Sequence, residues 1–187
     1  MLTTAQLQAL KADILANAAQ GQPLAAFYAA GDLNSIADWY NGASAVNAWR
    51  TETPVTAILD AVDWTKYTPN DAAAETLIGV QRILITQTKQ MNLQNMLFGR
   101  TTLDCSKAGI RAGLRDSVIS VPTGASGANT NPGGANGGTV LSACRRLANR
   151  IEALLAGGAE TTGATAARVL AYEGTIGRDE VQQALES

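Results

Sequence analysis

Apolar residues recur at helical spacing along most of the chain, and this pattern predicts a mainly helical protein. In the first segment Leu10 and Ile14 share one face, with Thr3 or Thr4 as the expected N-cap. Asp32 is the expected cap of a third short helix that follows a second one. Each of these segments is too short to be stable alone, so their apolar faces must pack together.

Three later segments also follow a helical period, from 71 to 98, 106 to 118 and 140 to 155. The longest carries an apolar stripe with Val80 and Met91, which is typical of the central helix of a bundle. We expect Leu84, Leu147 and Ile151 to be buried where these helices pack with the first one.

A glycine-rich tract, VPTGASGANTNPGGANGG, interrupts this pattern from 121 to 138. Its composition cannot build a core, so it predicts a long loop that protrudes from the helices. After residue 158 the pattern changes again. A small polar linker leads to RVLAYEG, a predicted short strand, and to a terminal helix with Gly177 at the cap and Glu180 at the third position.

These patterns together predict a mainly α fold. It consists of a helical bundle domain over 1–158, which includes the glycine-rich loop, and a C-terminal docking extension over 159–187, made of a short strand and a short helix. The terminal helix carries only Val181 and Leu185 as large apolar residues. We therefore expect it to dock on another chain.

Composition removes several classes of function. The chain has no histidine, so a Ser-His-Asp or Cys-His catalytic site is excluded. Phosphate-binding and nucleophile-elbow motifs do not occur. The carboxylate pairs Asp60–Asp63 and Asp179–Glu180 are more typical of helix ends than of acid–base chemistry. The sequence therefore predicts no enzyme, no cofactor and no metal site.

The net charge of −2 gives no bulk attraction to nucleic acid or to an anionic membrane. No export signal or membrane span is predicted. Two cysteines, Cys105 and Cys144, are expected to be reduced and partly buried, although the sequence leaves open whether they pair.

Candidate partner-binding residues fall into two groups. Two arginine ridges on helical segments suit carboxylates of a partner, because arginine binds them bidentately. A strand over 168–174 could add to a sheet edge of a partner. The candidates are Arg111, Arg115, Arg145, Arg146, Val169, Ala171, Tyr172, Val181 and Leu185.

Five stretches carry a resemblance to a known family: LTTAQLQALKADILAN, VNAWRTETP, KAGIRAGLRD, CRRLANRIEALLAGG and VLAYEGTIGRDEVQQALES. Together they resemble the head-to-tail connector, or adaptor, proteins of tailed bacteriophages. The resemblance implies a helical virion protein at the head–tail interface that forms a dodecameric ring beneath the portal protein and docks tail proteins. It also implies that DNA passes through the ring without specific binding. The glycine-rich tract departs from the family, in which this connection is shorter.

A second interpretation comes from a different class of function. The chain could be a small helical binding or regulatory module, for example a phage-encoded inhibitor of a host protein, or another tail-completion component. Presence in purified virions distinguishes the adaptor from the inhibitor.

Overall fold

A computed structural model describes residues 1–20, 23–67, 77–119, 135–157 and 166–187. It confirms that the protein is mostly helical. The helices in these ranges are α1 (Thr4–Ala19), α2 (Pro23–Ala30), α3 (Leu33–Asn41), α4 (Val55–Asp60), α5 (Leu77–Leu97), α6 (Ala108–Val118), α7 (Ala135–Ala143), α8 (Arg150–Leu154) and α9 (Arg178–Glu186), with a 3-10 turn at Trp64–Tyr67. The strands are β1 (Ala43–Trp49), β2 (Thr53–Pro54), β3 (Thr102–Leu103) and β4 (Arg145–Asn149).

The chain divides into two compact units. Unit 1 comprises 1–48, 147–161 and 167–187, and unit 2 comprises 49–146 and 162–166. Strands β1 and β4 pair in one two-stranded sheet. Strands β2 and β3 pair antiparallel within unit 2, with Thr53 opposite Leu103. The sequence predicted a separate extension over 159–187, whereas residues 167–187 belong to the same unit as the N-terminal helices.

Unit 1 is organised around one apolar core. Twelve buried residues from five helices and from the segments beside them form it: Leu2, Leu10, Ile14, Leu24, Ile36, Ala37, Tyr40, Ile151, Leu155, Ile176, Val181 and Ala184. The predicted caps of its first and third helices are confirmed. Thr3 and Gln6 form a capping box on α1, and Asp32 Oδ1 accepts from the Ser35 amide at the start of α3.

Polar contacts fix the arrangement of α1, α3 and α8 in this unit. The Tyr40 hydroxyl donates to Asp13 Oδ2 at 2.6 Å and joins α3 to α1. Arg150 Nη1 donates to the Trp39 carbonyl at 2.7 Å, and its guanidinium stacks 4.4 Å from the centre of the Trp39 ring. Gly42 makes this approach available, since a Cβ at that position would lie 2.6 Å from Arg150 Nη1.

The predicted helix from 140 to 155 is wrong. The chain there forms the end of α7, then strand β4, then the short helix α8. An alternation of exposed Leu147 and buried Ala148 replaces the helical stripe, and Leu147 is 56% exposed. Asn149 begins α8 with a capping box to Glu152, which is the local signal that ends the strand. Ile151 is buried as predicted.

The C-terminal segment is also different from the prediction. RVLAYEG forms only an isolated parallel bridge, from Arg168 to Ala48, in place of a strand. The terminal helix exists and its cap is confirmed, because the Gly177 amide donates to Glu180 Oε2 at 3.0 Å. That helix, α9, packs on α1 and α3 of its own unit.

In unit 2, α6 packs against both α5 and α7. Its Leu114 and Val118 are fully buried, as the spacing in 106–118 predicts. Of the tract from 121 to 138, the last four residues form the first turn of α7, so they are not loop. Residues 121–134 lie outside the described ranges, and the loop prediction for them is untested.

Candidate partner-binding surface

Helix α5 has a buried side and an exposed apolar side. Leu93 and Leu97 are buried, whereas Val80, Leu84 and Met91 are 44%, 57% and 57% exposed. A residue turns by about 100° along a helix, so Leu84 and Met91 lie together, opposite Leu93. Phe98 follows seven residues after Met91, is 86% exposed, and continues the helical hydrogen bonding through its amide to the Gln94 carbonyl. We call Val80, Leu84, Met91 and Phe98 the α5 outer face.

None of the exposed side chains that the structure describes on α5 is charged. The exposed ones are all apolar or neutral amides and hydroxyls: Val80, Gln81, Leu84, Ile85, Gln87, Thr88, Met91, Asn92, Gln94 and Asn95. A solvated helix face of this length ordinarily carries charged residues. Apolar side chains flanked by uncharged hydrogen-bonding groups are what the buried centre of a protein interface requires.

An open groove of about 380 Å³ runs beside the outer face and is lined by Leu84, Ile85, Thr88, Lys89, Asn92 and Asp116. The ammonium group of Lys89 is bonded within unit 2, because Lys89 Nζ donates to the Asp116 carbonyl at 2.5 Å. Partial burial lowers the pKa of Lys89, and the Asp116 carboxylate opposes that shift. The groove therefore offers Leu84 and Ile85 as apolar contacts, with hydrogen-bonding groups at its rim.

The expectation that Leu84 belongs to the core is therefore wrong. Helix α5 is apolar on more than one side, and α6 covers only the side with Leu93 and Leu97. Apolar residues around most of a helix are a sign of contacts on two sides. The sequence shows apolar residues on more than one side of α5, but it does not show which side packs against the chain's own core.

The predicted arginine ridges are mostly used inside the protein. Arg111 donates to the carbonyls of Cys105 and Ser106 and stacks over Trp49 at 4.7 Å. Arg145 donates to the Ala166 carbonyl and to Ser142 Oγ. These two side chains are not presented to a partner. Arg115 is exposed and Arg146 is half-buried on β4, so their role as partner contacts stays a prediction.

The predicted C-terminal anchors are not available either. Val181 is fully buried in the core of unit 1, and Leu185 packs against that core. The Tyr172 hydroxyl donates to the Thr175 carbonyl of its own segment, and Val169 is half-buried. Ala171 is exposed. The reason is that Ile176, just before α9, and the small residue Ala184 on α9 add buried apolar surface to that of Val181 and Leu185.

Among the described residues, no helix combines the length and the apolar character needed to cross a membrane, and no cluster of three metal-ligating side chains occurs. Comparisons with protein-family models, with curated proteins and with solved structures give no match to this chain.

Proposed function

We propose that the protein is a structural virion component, a head-to-tail adaptor whose copies form a ring between the portal and the tail of a tailed bacteriophage. The observation that carries the contact role is the α5 outer face. Exposed apolar residues in one row, flanked by exposed neutral residues on the described part of α5, favour burial against another protein. The resemblance of five stretches to adaptor proteins is the reason for proposing a ring between the portal and the tail as the assembly.

In this proposal the outer face lies at a contact between copies or with the portal. Its neutral surroundings suit repeated contacts between identical chains, because identical charges would repel. The net charge of −2 is compatible with a channel through which DNA passes without binding. The prediction from the sequence that the glycine-rich tract is an arm held by a neighbouring subunit concerns residues 121–134, which lie outside the described ranges. Limited proteolysis tests it, with protection expected in the assembled particle and cleavage in the free chain.

The experiment is light scattering after size exclusion, with and without purified portal protein. We expect a ring or a portal complex for the wild type and loss of both for the double variant Leu84→Lys/Met91→Lys. Gln182→Lys/Gln183→Lys is the matched control, because it adds the same two charges at exposed positions of α9 in unit 1, away from the α5 outer face. A monomer that never binds portal would overturn the proposal.

Mass spectrometry of purified virions separates this function from an inhibitor of a host protein. An adaptor is present in every particle at the copy number of its ring. An inhibitor uses the same exposed face for a single host partner and is absent from virions. Absence of the chain from virions together with capture of one host protein would favour the second function.

A further inference from the structure

A buried pair of thiols lies in unit 2, and none of the surfaces above uses it. Cys105 and Cys144 are both free and fully buried. The backbone of each cysteine is hydrogen-bonded to the same residue, Arg50. The Arg50 amide donates to the Cys144 carbonyl, and the Arg50 carbonyl accepts from the Cys105 amide, both at 2.9 Å. Along the chain the two cysteines are 39 positions apart, and the fold places both of them beside the backbone of Arg50.

The surroundings of the pair favour one thiolate. The neighbouring Cys144 thiol lowers the pKa of Cys105, burial opposes this shift, and the Thr53 hydroxyl and the Arg111 guanidinium lower the pKa further. The neighbouring Cys105 sulfur and then burial raise the pKa of Cys144. Such a pair contains one thiolate that can attack an oxidant and a second thiol that can attack the resulting sulfenic acid to form a disulfide.

Thr53 adds an independent structural observation. Its side chain is fully buried, and its hydroxyl has no hydrogen-bond partner among the described residues. A buried hydroxyl without a partner is costly, so such groups ordinarily have a reason to persist. Thr53 lies opposite Leu103, two residues before Cys105, and its hydroxyl lowers the pKa of both thiols. It is therefore placed to stabilise a thiolate when one forms.

We propose that Cys105 and Cys144 are an oxidation site, at which a small peroxide converts the two thiols into an intramolecular disulfide. The Cys105 thiolate attacks one peroxide oxygen and becomes a sulfenic acid, while the other oxygen leaves as hydroxide. The Cys144 sulfur then attacks the Cys105 sulfur, and water leaves. Two thiols and one hydrogen peroxide thus give one disulfide and two waters. The inference rests on the thiol geometry and does not depend on the proposed function.

The disulfide covalently closes the chain around α6 and α7. The Arg50 backbone already joins the two segments that carry the cysteines by hydrogen bonds. Closing a loop of this length stabilises a domain chiefly by restricting the unfolded chain. We expect the melting temperature of the oxidised protein to rise by about 10 °C, and dithiothreitol to reverse the rise.

The experiment treats the full chain with hydrogen peroxide and follows the intact mass and the thiol count in denaturant. We expect the mass to fall by two hydrogens, the thiols to fall from two to none, and peptide mapping to show a Cys105–Cys144 link. Because both thiols are buried, a bulky aromatic disulfide reagent should react only after unfolding. A peroxide-treated chain that keeps two thiols, or links to a second chain instead, overturns the proposal.

Variants test the order of the two steps. Cys144→Ser keeps the nucleophile and should accumulate a sulfenic acid that a dimedone probe traps, whereas Cys105→Ser should give at least tenfold less of this adduct. Thr53→Val should move the midpoint of the wild-type oxidation rate to higher pH, and Thr53→Ser should restore it. Equal adduct in the two cysteine variants overturns the assignment of Cys105 as nucleophile. If a serine variant fails to fold, the mass loss and the rise in melting temperature of the folded wild type under peroxide decide whether the disulfide forms in the native state.

Discussion

The two units treat their polar and apolar residues differently. In unit 1 the buried carboxylate of Glu152 accepts from the amides of Asn149 and Gly174, and an apolar core of twelve residues includes both ends of the chain. In unit 2 the polar atoms that are buried without a partner among the described residues are Trp49 Nε1, Thr53 Oγ1, Thr86 Oγ1 and Arg145 Nε. The α5 outer face, which is apolar and exposed, also belongs to unit 2.

This contrast bears on where the protein would gain from a partner. The exposed large apolar residues of unit 1, such as Leu15 and Leu147, lie on separate elements, whereas unit 2 exposes a row of them on one helix. A unit that exposes such a row and also buries polar atoms without a partner among the described residues gains more from association. Unit 2 is thus our candidate for the partner-binding part, and the prediction that the C-terminal segment binds the portal stays a prediction.

The strongest test of this contrast is a charge at Val181. Because Val181 is fully buried in unit 1, Val181→Asp leaves a carboxylate without a partner in an apolar core, and we expect a loss of more than about 3 kcal/mol. Urea unfolding followed by circular dichroism measures it. Gln182→Asp is the control, since it puts the same charge on the adjacent exposed position. An unchanged unfolding midpoint for Val181→Asp would restore the model of a terminal helix that docks elsewhere.

A second test compares two residues of the segment that was predicted as one helix. Ile151→Ala should cost about 2–5 kcal/mol, because Ile151 is fully buried in the core of unit 1. Leu147→Ala should change the free energy of unfolding by less than about 0.5 kcal/mol, because more than half of its side chain is exposed on β4. Thermal and urea unfolding of both variants measure the difference. Equal losses would mean that Leu147 also faces a core and that the strand assignment is wrong.

A third test concerns buried polar groups. Glu152→Gln replaces an acceptor of backbone amides with a group that has only one acceptor oxygen, so we expect unit 1 to lose about 1–3 kcal/mol. Thr86→Val removes a buried hydroxyl that has no partner among the described residues of unit 2, so the change should be neutral or slightly stabilising. The unfolding free energies of the two variants check this. A substantial loss for Thr86→Val would show that its hydroxyl is bonded in solution.

The sequence predicted helix positions well where capping residues and spacing agreed. Thr3 with α1, Asp32 with α3 and Gly177 with α9 are local signals, and the structure confirms them. The segment 145–149 failed for a physical reason. Its apolar residues step by four and three, which fits a helix, but pairing of β4 with β1 depends on a strand about one hundred residues earlier. Tertiary pairing of this kind overrides local periodicity.

The candidate surface was harder to predict than the fold. Val80, Leu84 and Met91 form a regular stripe, but a regular stripe is equally typical of a core and of an interface. Which side of α5 is buried depends on where α6 packs, and the sequence of α5 does not contain that information. Whether Cys105 and Cys144 lie near each other could not be predicted for the same reason. Both are hydrogen-bonded to the backbone of Arg50, which is distant from each of them in the sequence.

The prediction with the smallest expected effect compares one buried tyrosine from each unit. Burial raises the pKa of Tyr67 to about 12, and its hydroxyl donates to the Ser117 carbonyl at 2.8 Å. The pKa of Tyr40 is also raised, first by burial and then by its hydrogen bond to Asp13. The native state of each therefore favours the neutral phenol. This stabilisation is complete below the unfolded pKa of about 10 and is lost as pH rises through the higher folded pKa.

Tyr67→Phe and Tyr40→Phe should each cost about 0.5–1.5 kcal/mol at pH 8, where each loses one hydrogen bond. Above about pH 10 the wild type loses stability and each variant loses less, so the cost of the substitution shrinks as pH rises towards 12. Urea unfolding at pH 8, 10 and 11 measures this trend, with exposed Tyr28→Phe as the control that should match the wild type. The Asp13 carboxylate beside the Tyr40 hydroxyl is a specific reason for a larger shift in unit 1. If Tyr67→Phe retains the whole alkaline loss and Tyr40→Phe removes it, the pH dependence belongs to unit 1 alone.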